Sequence, residues 1–117
     1  LHLWKPEQME SHLGQNLVGR VLVVDPSVLK DPYKTSDNQL FLAQSGNGCS
    51  PRALGTKVFG TFLNDGERSF LYRTDFAGIL KDEYIPDWAK QAIRDAQEEQ
   101  ETEQEESQEQ DIGMQMQ

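Results

Sequence analysis

The sequence predicts an α+β domain built on a four-stranded, mostly antiparallel sheet or small barrel, with a short N-terminal helix and a C-terminal helix. Three observations lead to this class. Four segments rich in β-branched and aromatic residues are bounded by turn formers. The last two are joined by Asn-Asp-Gly-Glu, in which Asp-Gly is a strong hairpin signal. A stripe of apolar residues at helical spacing then follows.

The first third of the chain is expected to hold one helix and one strand. A helix is predicted over 5–13, because Pro6 suits a first helical turn and two apolar residues lie four positions apart. A buried strand is predicted over 17–25, where valine and leucine dominate. The segment 26–38 contains two prolines and is expected to form a loop.

The other three strands are expected in the middle of the chain, at 39–45, 56–63 and 68–74. The turn at 64–67 should make the last two an antiparallel pair. With 117 residues the chain can bury one modest core, so we expect a single domain.

Two helical segments are predicted after the hairpin. The first covers 74–84 and places Phe76, Ile79 and Leu80 at helical spacing. The second covers 85–97 and has a proline near its first turn. Its apolar face, which should pack on the sheet, consists of Ile85, Trp88 or Ala89, Ala92 and Ile93.

Charge divides the chain into a predicted folded domain, 1–97, and an acidic tail, 98–117, which is expected to be disordered or a frayed helix. The tail holds eight of the 20 acidic residues and none of the 11 basic ones. The domain therefore has 12 acids against 11 bases, a net charge of −1. A body so close to neutral counts against direct nucleic-acid binding, which usually needs a basic domain.

Composition also bears on location. The sequence has no run long and apolar enough to span a membrane, and no segment with the order of a signal peptide. A single cysteine excludes an internal disulfide and fits a reducing compartment. We therefore expect a cytoplasmic protein that does not engage a membrane.

The segment 45–55, SGNGCSPRALG, is predicted to be a corner between two strands, with a helical turn at Pro51–Leu54 capped by Ser50. A second interpretation is an anion site, because glycine-rich bends expose backbone N–H groups and Arg52 lies alongside. A third is a nucleophilic Cys49 beside a helix start.

Catalysis by the cysteine would also need a base. The histidines are His2 and His12, and the spacing of neither places it near Cys49. Two histidines and one cysteine so far apart match no zinc motif. We therefore predict no catalytic residues, no metal and no cofactor, and a protein that is not an enzyme.

Partner binding is the remaining class, and two features suggest it. Trp4 would either pack on the first helix or, if exposed, anchor a protein partner. The tail offers a polyanion to a basic partner, such as a nucleic-acid-binding protein. The predicted binding residues are Trp4, Arg52, Glu98, Glu99, Glu101, Glu103, Glu105 and Glu106.

Four segments carry a resemblance to a known group of proteins: LFLAQSGNGCSPRALG, VFGTFLNDGE, DFAGIL and IPDWAK. They resemble an uncharacterised domain of large multi-domain proteins from conjugative elements of gut Firmicutes, over roughly residues 15–95. The markers are Gln44, Ser45, Gly46, Cys49, Leu54, Gly55, Phe62, Gly66 and the start of the last helix at Pro86-Asp87-Trp88. The resemblance implies a role in the biology of a mobile element and assigns no activity.

The leading expectation is a non-enzymatic protein-interaction module of a mobile element. In one specific version of this expectation, the module inhibits a host restriction or CRISPR-type nuclease by binding the basic nucleic-acid channel of that nuclease. One alternative is a nucleic-acid accessory domain with four basic residues around the hairpin: Arg52, Lys57, Arg68 and Arg73. Strand alternation would place Arg68 and Arg73 on opposite faces, which counts against it. The other alternative is an enzyme that depends on Cys49.

Overall fold

Six strands form one open antiparallel sheet in the computed structural model, which describes residues 3–52 and 56–100. The strands are β1 (Met9–Glu10), β2 (Val21–Val24), β3 (Leu40–Ser45), β4 (Lys57–Phe62), β5 (Arg68–Tyr72) and β6 (Phe76–Leu80). Their order across the sheet is β1-β6-β2-β3-β4-β5, and every neighbouring pair is antiparallel. One α-helix, α1, covers 87–100 within the described residues and packs on one face of the sheet.

The predicted α+β class, the antiparallel sheet and the C-terminal helix are confirmed, whereas the predicted count of four strands is wrong. The small barrel is wrong as well, because β1 and β5 lie at opposite ends of the sheet and do not pair. The hairpin is confirmed, with Phe59 opposite Phe70 and Thr61 opposite Arg68.

The segment 74–84 departs most from its predicted helical structure. It contains β6, which follows a 3-10 turn at Arg73–Asp75 and pairs with β1 on one side and β2 on the other. Ile79 joins the apolar cluster on one face of the sheet, and Leu80 joins the cluster on the other. A short apolar run that is buried on both faces shows neither the alternation of a half-buried strand nor the periodicity of an amphipathic helix. Its structure is therefore decided by pairing with strands that are distant in the sequence.

The predicted N-terminal helix over 5–13 is also absent. A 3-10 turn at Pro6–Gln8 leads directly into β1. The Gln8 carbonyl accepts a hydrogen bond from the Lys81 N–H at 3.0 Å, which ties this segment to the end of β6. Leu13, one of the two apolar residues of the predicted helix, is 74% exposed. Tertiary packing of an apolar face, which stabilises most helices, is therefore missing here.

The sheet is apolar on both faces, and different structures cover them. On one face, β2 and β3 pack against small and β-branched side chains of α1, including Ala89, Ala92, Ile93 and Ala96. Ala89 is fully buried and Trp88 is 38% exposed, so the alanine takes the inward position. On the other face, loop residues complete the core, including Leu17, Leu29 and Cys49. Within the described ranges, no helix has the length and apolarity that crossing a membrane requires.

Candidate interaction surface

The corner predicted at 45–55 forms where the structure describes it, and glycine lets it lie directly against β4. A 3-10 turn at Asn47–Cys49 follows β3. A β-carbon at Gly46 would lie 2.4 Å from the Lys57 carbonyl oxygen, and Gly46 also takes a φ of +107°, which other residues avoid. A larger residue would force the corner away from the strand. The predicted helical turn at Pro51–Leu54 falls partly outside the described residues.

Arg73 is buried beside this corner, a position that strand alternation did not predict. Its guanidinium donates hydrogen bonds to two corner carbonyls, those of Gly48 at 2.5 Å and Ser50 at 3.0 Å. It also donates to two carbonyls of the N-terminal segment, those of His12 at 2.5 Å and Gln15 at 3.1 Å. The rigid fork of a guanidinium suits several acceptors at once. Arg73 therefore joins two loops and is not part of an exposed basic surface, which corrects that part of the nucleic-acid alternative.

The same contacts bear on the anion-site interpretation. The corner turns two carbonyl oxygens towards a buried cation, which is the opposite polarity to an anion cradle. Two of its N–H groups are used within the turn, since Cys49 N–H bonds to the Gly46 carbonyl and Ser50 N–H bonds to the Asn47 carbonyl. Arg52 is exposed just after the turn, and its N–H bonds to the Ser50 hydroxyl at 3.3 Å. The geometry favours a structural corner.

Cys49 is almost completely buried, and its Sγ donates a hydrogen bond to the Ser45 carbonyl at 3.1 Å. Burial raises the pKa of the thiol, and the nearby Arg73 cation opposes this effect more weakly. The thiol is therefore protonated at neutral pH. A nucleophilic cysteine needs the thiolate, so this environment favours a packing role.

His12 lies in the segment that Arg73 holds against the corner, although nothing in the spacing predicted this proximity. Its Nδ1 atom is buried and has no hydrogen-bond partner among the described residues. Burial lowers the pKa of its imidazole, and the Arg73 cation lowers it further. No hydrogen bond between described residues joins the imidazole to the Cys49 thiol, whose donor bond goes to Ser45. The two side chains lie near one cation without forming a nucleophile–base pair.

Trp4 is half-buried and its polar groups are bonded within the fold, which favours the predicted packing role over that of an exposed anchor. Its indole Nε1–H donates to the Ser36 carbonyl at 2.9 Å, and its backbone N–H donates to Gln39 Oε1 at 3.0 Å. The buried Gln39 side chain in turn donates to the Val24 carbonyl at 3.0 Å. The ring packs against the core on the α1 side of the sheet.

The other predicted binding residues belong to the end of the chain. Glu98 and Glu99 are exposed near the described end of α1. Glu101, Glu103, Glu105 and Glu106 lie outside the described residues.

Five exposed side chains on the α1 side of the β4–β5 hairpin form a surface that we call the hairpin face: Lys57, Phe59, Arg68, Phe70 and Tyr72. Phe59, Phe70 and Tyr72 are 43%, 40% and 45% exposed. Ring centroids are 5.7 Å apart for Phe59 and Phe70, and 5.9 Å apart for Phe70 and Tyr72. Lys57 Nζ lies 4.9 Å from the centre of the Phe70 ring. The three rings therefore make a connected exposed row beside two basic residues.

The hairpin face is open because α1 covers other strands. The buried residues of α1 pack on β2 and β3, and the helix meets the hairpin in two places: beside its turn, where Ala92 and Asp95 line a depression with Thr61 and Gly66, and at the described end of the helix. There Gln100 helps to line a shallow depression of about 390 Å³, together with Gln44, Phe59, Arg68 and Phe70. The helix therefore leaves Phe59, Phe70 and Tyr72 at least 40% exposed in the described structure.

Sequence pattern did not lead to a prediction of this surface, although part of the signal was present. Alternation along RSFLY places Arg68, Phe70 and Tyr72 on one side of the strand, and the turn sets Phe59 opposite Phe70. Aromatic residues in a strand usually indicate core, and the reach of α1 cannot be read from local pattern. The location of the helix was the missing information.

Across 3–52 and 56–100, no three His, Cys, Asp or Glu side chains converge into a group that could hold a metal ion. Comparisons of the chain with protein-family models, curated proteins and solved structures give no match. The chemistry of the hairpin face is therefore the main indication of function in the described structure.

Proposed function

We propose that this chain is a non-enzymatic protein-interaction module and that the hairpin face is its contact surface. The observation that carries the proposal is the connected row formed by Phe59, Phe70 and Tyr72, each at least 40% exposed. Aromatic side chains supply large contact area at little cost in conformational entropy, and they dominate the binding energy of many interfaces. A rigid strand pair also holds the rings in position before a partner arrives, which limits the entropy lost on binding.

Charge favours a protein partner over a nucleic acid. Lys57 already lies over the Phe70 ring, where it competes with a stacking base. Glu99 is exposed on α1, close to the end that borders the hairpin face, and would repel phosphates. Of the four basic residues in the nucleic-acid alternative, Arg73 is buried. A protein surface can meet the rings and the acidic helix end together.

Single-stranded nucleic acid remains the second candidate, and one observation favours it. Lys57 and Arg68 are on the same side of the hairpin as three aromatic rings, the combination that binds unpaired bases and their phosphates. Fluorescence anisotropy with a labelled oligo-dT strand at low salt separates the candidates. Micromolar binding that Phe59→Ala weakens would favour the nucleic acid.

We propose that the partner is a basic nucleic-acid-binding protein. In the more specific form of the proposal, this partner is a host restriction or CRISPR-type nuclease. Support comes from the eight acidic residues from Glu98 onward and from the resemblance to a mobile-element domain. A polyanion would speed encounter with a basic channel, and salt would weaken this effect. The hairpin face would then supply the short-range contacts.

The proposal is tested with the full chain immobilised in lysate of a bacterium that carries conjugative elements, and captured proteins identified by mass spectrometry. The identified partner is then purified and titrated against the double variant Phe59→Ala/Phe70→Ala. We expect an affinity loss of at least about tenfold. The matched control is Tyr84→Ala, because Tyr84 is 40% exposed and lies in the turn after β6.

A full-length variant with the eight tail acids changed to Gln or Asn isolates the polyanion. We expect a lower association rate at low salt and little difference at high salt. Equal affinity of the double variant and the wild type would contradict the role of the hairpin face. Equal association rates for the tail variant would remove the polyanion from the proposal.

A further inference from the structure

We propose that a second copy of this chain pairs with the outer edge of β5, which extends the sheet across a two-fold axis at Phe70. This inference concerns self-association and does not depend on the proposed function. It follows from the direction of the backbone groups of β5, from the few protective features on this edge among the described residues, and from the order of its side chains.

The hydrogen bonds of the hairpin show which backbone groups point outwards. Arg73 N–H bonds to the Thr56 carbonyl at 2.7 Å, and Phe62 N–H bonds to the Glu67 carbonyl at 2.8 Å. Bonded and non-bonded pairs alternate along an antiparallel ladder. The pair of Phe59 and Phe70 is therefore a non-bonded pair, and the N–H and C=O of Phe70 point away from β4.

No described strand pairs with this outer edge, because β5 ends the sheet. At one end of the edge, the Tyr72 N–H is bonded to Asp75 Oδ2 at 2.8 Å, which leaves Phe70 as the centre of the open stretch. An unpaired edge of this kind is a ready template for another strand.

Natural edges usually carry features that prevent pairing, and within the described residues β5 has few of them. It has five residues, contains no proline, and carries one charge in the sequence RSFLY. The register shifts of the described strands lie at Val23/Val24, where β2 pairs with β6, and at Ala43/Ser45, where β3 pairs with β4. No bulge therefore twists β5 away from a new partner. Short length, charge, proline and bulges are the usual means of blocking such an edge.

The side-chain order suits an isologous antiparallel pair centred on Phe70. Phe70 would lie opposite Phe70 of the second copy, and the two residues would exchange N–H···O=C hydrogen bonds. Arg68 would lie opposite Tyr72 of the second copy, so that each cation meets an aromatic ring and not another cation. The two hairpin faces would join into one row of six aromatic rings.

A contact of one short edge buries little area, so we expect a weak dimer that forms with rising concentration. Sedimentation equilibrium of the purified full chain, from low to high micromolar protein, measures this association directly. The expected result is a monomer–dimer equilibrium. A monomer at every concentration would overturn the inference.

Two lysine variants distinguish edge pairing from contact through the face. Phe70→Lys puts like charges opposite each other across the two-fold axis, so it should abolish the dimer. Phe59→Lys changes a ring of similar exposure on the same face, but in a strand that is paired on both sides, so the dimer should persist. Equal loss in both variants would overturn pairing through the edge.

A charge swap then tests the position of the axis. Phe70→Lys and Phe70→Glu should each be monomeric alone, and an equimolar mixture should form a heterodimer, because opposite charges would then face each other. A mixture that stays monomeric would overturn the register centred on Phe70. All of these measurements use the protein alone, so a failure here is distinct from a failure to find a partner.

Discussion

Around the N-terminal segment that contains β1, an aromatic and a basic side chain are bonded within the fold, whereas the aromatic side chains of β5 at the other end of the sheet are exposed. Trp4 donates both of its N–H groups to protein acceptors, and Arg20 forms a 2.6 Å ion pair with Glu10 of β1. Phe70 and Tyr72, by contrast, are 40% and 45% exposed. Residue type alone therefore does not distinguish a structural site from an interaction surface. The acceptors that surround each side chain do.

The edge strands differ in the same way. β1 has two residues and follows directly on a turn that is bonded to the end of β6. β5 has five residues, and no described strand lies beyond it. The molecule protects one edge by shortness and leaves the other available, which agrees with an interaction role for the hairpin.

Arg73→Met should cause the largest loss of stability, because it removes the buried cation and leaves four carbonyl acceptors without their donor. Hydrogen bonds to charged groups each contribute about 1.5–3 kcal/mol, and relaxation recovers part of the loss, so we expect a net cost of about 3–5 kcal/mol. Urea unfolding followed by circular dichroism measures it. Arg52→Met, at an exposed site, is the control and should change stability by less than about 0.5 kcal/mol.

Trp4→Phe should have an intermediate effect. It keeps most of the ring but removes the bond from indole Nε1–H to the Ser36 carbonyl, at a cost of about 1–2 kcal/mol. Tyr72→Phe is the matched change at the exposed end and should be nearly neutral. Equal losses in the same urea assay would contradict the contrast between the two ends.

The pH dependence of stability should show a smaller effect at His12. Its pKa is lowered from 6.5 in the folded protein, so the unfolded chain binds the proton more readily. The stability that comes from keeping this imidazole neutral is fully present above pH 6.5, and it is lost as the pH falls from there through the lowered pKa. His12→Gln should flatten this part of the profile in urea titrations between pH 4 and 8. An unchanged slope would show that the imidazole is not shielded as described.

Phe59→Ala should be the mildest change, because the side chain is 43% exposed. We expect a loss below about 1 kcal/mol, against about 3–5 kcal/mol for truncation of a fully buried phenylalanine such as Phe41. Thermal unfolding of the two alanine variants gives the comparison. A large loss for Phe59→Ala would mean that the hairpin face is part of the core and not a surface for binding.

Local pattern predicted β2 to β5 and α1, and it failed for β1 and β6. The hairpin followed from a turn with a defined conformational preference, and α1 followed from its apolar face. β6 could not be predicted, because a run buried on both faces has no strand or helix period, and its partners are up to 71 positions away, as between Met9 and Leu80.

For the candidate site, too, local sequence pattern could predict one part and not another. The common orientation of Phe70, Tyr72 and Arg68 was available from alternation along one strand. The burial of Arg73 was not, because its acceptors at His12 and Gly48 lie 61 and 25 positions away. Local composition carries no information about contacts of that length.

The position of β6 has a consequence for how the chain folds during synthesis. β6 lies between β1 and β2, so one edge of β2 has no neighbour until residues up to Leu80 have been made. Pairing over such separations is slow, because the entropy of closing a long loop is lost before the contacts form. The strands β2 to β5 can pair as sequential neighbours before the rest of the chain is made. The free edge of β2 then stays unpaired until the last third of the chain supplies β6. We therefore expect a late, all-or-none completion of the sheet, in which α1 docks after β6 has entered.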